Sequence, residues 1–157
     1  MGRSLSLHSL QRSEYVAEPC QVLCVDIIGG MTLSLTLLEQ TFAVHRLAAD
    51  MEIPAAALSS PFFAITRTDD ELSLVLPESV EIDSEKSEAG WACFKVEGPL
   101  EFGLVGVLAK ISSVLAEAGV PIFAVSTFDT DYILVKRKQV QVAKEALSSA
   151  DYQIQAR

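Results

Sequence analysis

Asp129 and Asp131 stand one residue apart in the stretch VSTFDTDYILVK, residues 125–136, between two apolar runs. Ser126, Thr127, Asp129, Thr130 and Asp131 together offer the carboxylates and hydroxyls that an ammonium or another cationic group requires. Upstream, the run GPLEFGLVG, residues 98–106, opens a segment with apolar residues at helical spacing. The spacing predicts a helix over Leu100–Ala118, with Pro99 in its first turn and Gly119 just past its end. A helix start presents unpaired N–H groups and positive potential, which suit a carboxylate. Gly103 and Gly106 would lie inside the first turns, each costing about 0.8–1 kcal/mol relative to Ala. Close approach of a ligand or of a second backbone is the usual reason for such glycines. Asp and Thr are also ordinary turn residues, so the DTD run taken alone is more often a solvated turn.

The elements that would position these groups are legible from periodicity. WACFKVE alternates as a half-buried strand. The expected helix follows, then strands PIFAVSTF and DYILVK, helix KQVQVAKEALSSA and strand YQIQA. That order, β-α-β-β-α-β, is ferredoxin-like: an α+β fold with an antiparallel sheet and helices on one face. A second copy precedes it. FFAITRTDDELSLV, from Phe62, aligns without a gap on IFAVSTFDTDYILV, from Ile122, at an offset of 60 residues. TFAVHRL would supply the first strand of that copy and IPAAALSS a short helix. Its second helix would fall in the polar PESVEIDSEKSEAG and its fourth strand on ACFKVE, which the second copy already uses. The alternating VLCVDII and TLSLTLL, joined by Gly29-Gly30, predict a hairpin whose second strand fills the gap. The expected organisation is an N-terminal extension over 1–30, a degenerate first module over 31–88 and a complete second module over 89–157.

Composition narrows the function. Half of the 157 residues are hydrophobic, and the net charge is -9. Such a chain affords a buried core and is poorly suited to nucleic acid or an anionic membrane surface. Cys20, Cys24 and Cys93 are odd in number, which fits a reducing, cytoplasmic setting better than a disulfide scaffold. They have too few ligating neighbours for a metal site. No apolar run has the length of a membrane span. No Ser-His-Asp order, phosphate loop or metal spacing points to an enzyme, and no cofactor is expected. His45 reads as a half-exposed strand residue, Cys93 as core, and Arg67 as the surface partner of Asp69 or Asp70.

The repeated hairpins, the GPLEF helix start and the gap-free STFDTDYILV resemble the tandem ACT-domain proteins akin to the cytosolic arginine-sensor family. The likeness runs from about Met31 to Ala150. It implies two ACT modules in tandem and a non-catalytic regulatory protein that binds a small molecule, most often an amino acid, where modules pair. It further implies a site built from Gly98, Pro99, Leu100, Glu101, Phe102, Gly103 and Gly106 on one side. Ser126, Thr127, Phe128, Asp129, Thr130 and Asp131 would form the other side. An amino acid is the expected ligand, with basic ones among the candidates. A homodimer is expected from the long apolar edge strand IFAVSTF. Relatives commonly carry Asp where Glu101 stands, which bears on ligand preference. The competing reading is a protein-interaction module with an empty pocket.

Overall fold

The computed structural model describes residues 33–100 and 104–156. Seven strands and three short helices follow the alternations read above. The strands are β1 (Ser34–Leu47), β2 (Ala64–Arg67), β3 (Leu72–Pro77), β4 (Lys86–Val96), β5 (Ile122–Ser126), β6 (Asp131–Lys136) and β7 (Gln153–Ala156). The helices are α1 (Ala55–Leu58), α2 (Val107–Glu117) and α3 (Val140–Ser149), the last led by a 3-10 turn at Arg137–Gln139. All seven strands join one sheet in the order β2-β3-β1-β4-β6-β5, with β7 beside β1. The architecture is α+β and ferredoxin-like in each half, the first half being the degenerate one.

Two long strands serve both halves. The C-terminal part of β1 pairs with β3 from Phe42 to Leu47. Its N-terminal part, Ser34–Leu37, lies between β4 and β7. Likewise, Lys86–Glu88 of β4 pair with the first-module part of β1, whereas Trp91–Lys95 pair with β6. ACFKVE, residues 92–97, thus serves the second half, and the first half is served by Lys86–Glu88, which precede it in the same strand. β4 is 11 residues long, and different stretches of it serve different modules. TLSLTLL and TFAVHRL are also one strand of 14 residues rather than two. The expected hairpin between VLCVDII and TLSLTLL does not form through Ser34–Leu37, because both edges of that stretch are taken. VLCVDII itself lies outside the described residues. The β1–β7 pairing is parallel, the one exception to an otherwise antiparallel sheet.

Alternation sends side chains to three cores. Leu35, Phe94, Val96, Ile133 and Val135 pack beneath α2 and α3 with Ile111, Leu115 and Leu147. Leu47, Leu72, Leu74 and Leu76 pack against Ala57 of α1 and against Val80 and Ile82. On the opposite face, Phe42, Val75, Cys93 and Leu134 form the third core. Phe62 reaches across it, 5.1 Å from Phe42 and 5.0 Å from Tyr132, centroid to centroid. Phe62 precedes β2, and Tyr132 sits on β6, four places along the sheet. A flat sheet would separate them by about 19 Å, so this sheet curls and its two halves face one another.

Where the first half lacks a helix, polar contacts fill in. Arg46 bridges Glu71 at 3.1 Å and Glu85 at 2.5 Å. Arg67 does not pair with Asp69 or Asp70 as expected. Its guanidinium donates to the carbonyls of Ala49 and Met51, both at 2.6 Å, and so pins the loop before α1. His45 is also a correction. It is only 8% exposed, not half-exposed, because the segment after β3 covers its face of β1. Its Nδ1 lies 3.1 Å from the Ser84 hydroxyl, and its Nε2 is buried with no partner among the described residues.

Burial lowers the His45 pKa below the ordinary 6.5. The unfolded chain thus binds this proton more readily than the fold does. The contribution is fully present above the unfolded value and is lost as pH falls through 6.5 toward the lower folded value. Urea unfolding measured on either side of that pH should show lower stability on the acid side, and His45→Gln should flatten the difference.

Candidate functional site

The helix expected from Leu100 begins instead at Val107, with Gly106 as its N-cap at φ 85°. Pro99 is therefore not in a helical turn. The Gly98–Pro99 peptide bond is cis, in a loop that leads away from β4. Gly106 is not a helix-interior residue either. It occupies a left-handed conformation that glycine adopts at no steric cost, and this explains its presence without a ligand. Gly119 does lie past the helix end as expected, at φ 69°. The N–H groups of Val107, Leu108 and Ala109 have no intrahelical acceptor, and among the described residues no side chain caps this end.

The loop after β4 is stitched to the turn between β5 and β6 by main-chain contacts. The Leu100 N–H donates to the Asp129 carbonyl at 2.8 Å. A Cβ on Gly98 would come 2.8 Å from that same carbonyl oxygen, so only glycine fits there without movement. Within the turn, the Thr127 N–H and hydroxyl both donate to the Thr130 carbonyl, at 2.8 and 2.9 Å. The buried Thr130 hydroxyl donates to the Val96 carbonyl. The hydroxyls of Thr127 and Thr130 thus hold the turn in shape. Ser126 donates to Asp131 at 2.6 Å, leaving the other Asp131 oxygen available. The Asp129 carboxylate has no side-chain partner among the described residues.

Leu100, Gly106 and the whole run Ser126–Asp131 line one cleft of about 390 Å³, together with the first turn of α2. The turn and the helix start are thus brought together as the sequence suggests. Gly98 and Pro99 face a neighbouring cleft of about 490 Å³, which shares Thr127, Asp129 and Thr130 with the first. Glu101, Phe102 and Gly103 lie outside the described residues. Sequence reasoning missed Leu104 in the first cleft, and Lys95 and Tyr132 in the second. The alternation of WACFKVE sets Lys95 on the Cys93 face, and that was the available signal. The cleft has an exposed apolar side: Phe128, which lines it, is 76% exposed, and Val105, between the lining residues Leu104 and Gly106 in sequence, is 67% exposed. Cys93, wholly buried with its thiol pushed up to about 12, and the distant His45 offer no nucleophile or base at this cleft.

This arrangement matches a known family. Residues 86–149 match the model of the ACT domain. Those residues belong to the ACT-domain family. Residues 40–81 of this ACT protein match the model of an N-terminal domain whose description names no function. Its curated relatives include the proteins named cytosolic arginine sensor for mTORC1 subunit 1. The one from Pongo abelii is 28% identical over 93% of this chain and 46% of its own length. The one from Homo sapiens is 27% identical over the same shares. The chain thus spans about half the length of the curated relatives it matches. Protein Atu0741 from Agobacterium tumefaciens, a solved structure, is 35% identical with a TM-score of 0.75, over 81% of this chain and 95% of that one. Aspartate kinase from Clostridium acetobutylicum shares the fold at 15% identity and a TM-score of 0.55, over 72% of this chain and 33% of that one.

The two glycines make the geometry testable. Gly98→Ala must displace the Asp129 carbonyl and should cost about 1–3 kcal/mol in a denaturant titration. Gly106→Ala meets open space but keeps the left-handed strain, and should cost about 1–2 kcal/mol.

Proposed function

We propose that this ACT protein is a non-catalytic regulatory module that senses an amino acid. The observation that carries the reading is a single cleft with an uncapped helix start on one side and Asp129 and Asp131 on the other. An α-carboxylate would take the N–H groups of Val107, Leu108 and Ala109. An α-ammonium, or a cationic side chain, would take the free Asp131 oxygen and Asp129. The cleft lies at the small end of the range for ligand pockets, about 300–1,000 Å³. The relatives named arginine sensors put arginine first among the ligands to try. Nothing in this reading needs a metal, a cofactor or nucleic acid, and the regulated partner would be met in the cytoplasm. No described helix is long and apolar enough to cross a membrane. The working unit is the pair of modules, about 31–88 and 89–157, with 1–30 as an extension.

The test is a thermal-shift screen against the twenty amino acids, followed by calorimetric titration of the best hit. Asp131→Ala and Asp129→Ala should each weaken binding about ten- to a hundredfold, the cost of a lost charged hydrogen bond. Exposed turn acids contribute little to folding, so stability should change by about 0.5 kcal/mol for Asp129 and not much more for Asp131. If an acid reads the side chain, basic ligands lose most; if it reads the α-ammonium, all lose alike. No response to any amino acid would leave the interaction-module reading, which the exposed Val105 and Phe128 favour.

The site also calls for a second copy. Among the described residues β5 pairs only with β6, which leaves its outer edge open there, and it runs directly into the binding turn. An equivalent β5 edge would pair with it and bring a second set of apolar rim residues over the cleft. Light scattering at micromolar concentration should report about twice the 17.0 kDa chain mass. A monomer with and without amino acid would remove this part of the proposal.

A further inference from the structure

A cationic feature lies at the far end of β6 from the acidic binding turn. The turn precedes Asp131, whereas Arg137 and Lys138 follow Lys136, about 20 Å along the strand. Both basic residues line a cleft of about 420 Å³ whose opposite wall is the irregular stretch of β1. There Leu37 pairs with Phe94 and Thr41 with Ala92, so residues 38–40 face the single β4 residue Cys93. β7 reaches β1 only as far as Leu37, and β3 only from Phe42. Leu38, Glu39 and Gln40 consequently have no registered strand partner on either edge. Bulges of this kind commonly re-aim backbone and side chains at sites of use.

The charges of this cleft are unbalanced. The Arg137 guanidinium donates to the Thr41 hydroxyl at 3.1 Å, which holds it against the bulge and leaves most of its donors unused. Neither Arg137 nor Lys138 belongs to an ion pair among the described residues. Glu39 is the one acid in the lining. In a chain of net charge -9, two cations set against one acid in a concave site are the complement of an anion. We propose that this cleft binds a small anion, a carboxylate or phosphate that also carries a hydrogen-bond donor. Arg137 takes the anionic group through its fork of N–H donors, Lys138 adds a second charge, and Glu39 accepts from the donor. The bound anion would fasten the crossing point of β1 to the start of α3. The site is independent of the amino-acid reading, because it shares no residue with the Ser126–Asp131 turn.

Melting curves in millimolar sodium phosphate and in L-malate, each against sodium chloride at matched ionic strength, test this. At least one of the two should raise the melting temperature above the chloride control, and which one does decides between phosphate and carboxylate. Titration should show binding weakened about tenfold or more by Arg137→Gln and by Lys138→Gln. Glu39→Gln should change the preference between malate and acetate, which lacks the donor. Asp131→Ala should leave this binding unchanged. Lys138 is exposed and makes no side-chain hydrogen bond or ion pair among the described residues, so Lys138→Gln tests the charge with little effect on the fold. A shift no larger than that of chloride, or a shift retained in both basic variants, overturns the proposal.

Discussion

The ladder between β1 and β4 is the constraint on which the rest depends. These two strands run through both halves of the sheet, and each half is incomplete without them. Ser34–Leu37 separate β7 from β4, so the second half is closed by a strand that continues into the first. Lys86–Glu88 do the same service in the opposite direction. Register shifts after Leu37 and after Phe42 let the paired strands bend, and the bend turns the two half-sheets toward each other. The Phe42–Phe62–Tyr132 ring contacts then close the space between the halves. Lys136 fastens the same crossing from the second half: its ammonium meets Glu88 at 3.0 Å and lies 4.2 Å from the centre of the Trp91 ring. Neither half would bury its apolar face with the other cut away.

The turn between β5 and β6 inherits its shape from that scaffold. Thr130 is tied to the end of β4, and Leu100 is tied to Asp129, so the start of the loop after β4 and the β5–β6 turn are held together. This separates two kinds of polar group that look alike in the sequence. The Thr127 and Thr130 hydroxyls are committed to main-chain carbonyls, and replacing them would change the turn before it changed any ligand contact. The carboxylates of Asp129 and Asp131 keep acceptor capacity in reserve. In STFDTD the threonines build the platform and the acids face outward from it.

How far this was legible depends on what periodicity reports. Strand alternation and the offset of 60 residues made the fold class and the position of the turn readable. The helix start was misjudged because Leu100 and Leu104 pack on the same core as Val107 and Ile111, although they precede the helix. Apolar spacing records which side chains are buried, not which backbone carries them. Double use of β4 was invisible for a related reason: a repeat suggests that each module owns its strands, and nothing local to KSEAGWACFKV says that its partner changes midway. His45 escaped because its cover is an irregular segment with no periodic signature. The Ser126–Asp131 cluster, by contrast, was conspicuous from residue type, since turn acids beside hydroxyls stand out whatever surrounds them, and the family resemblance was what favoured a ligand over a solvated turn.

The asymmetry between the halves bears on stoichiometry. At the 60-residue offset, Arg67 takes the place of Thr127 and Glu71 that of Asp131. Arg67 is spent on the carbonyls of Ala49 and Met51, and Glu71 on Arg46. The helix that would supply N–H groups is reduced to Ala55–Leu58, four residues. A helix of a single turn has little macrodipole to offer an anion. The first half has thus turned Arg67 and Glu71, the counterparts of Thr127 and Asp131, into structural ties where helix is missing. An amino acid held in the manner proposed would bind once per chain, and the first half would act on that site only through β1, β4 and the ring contacts that join them.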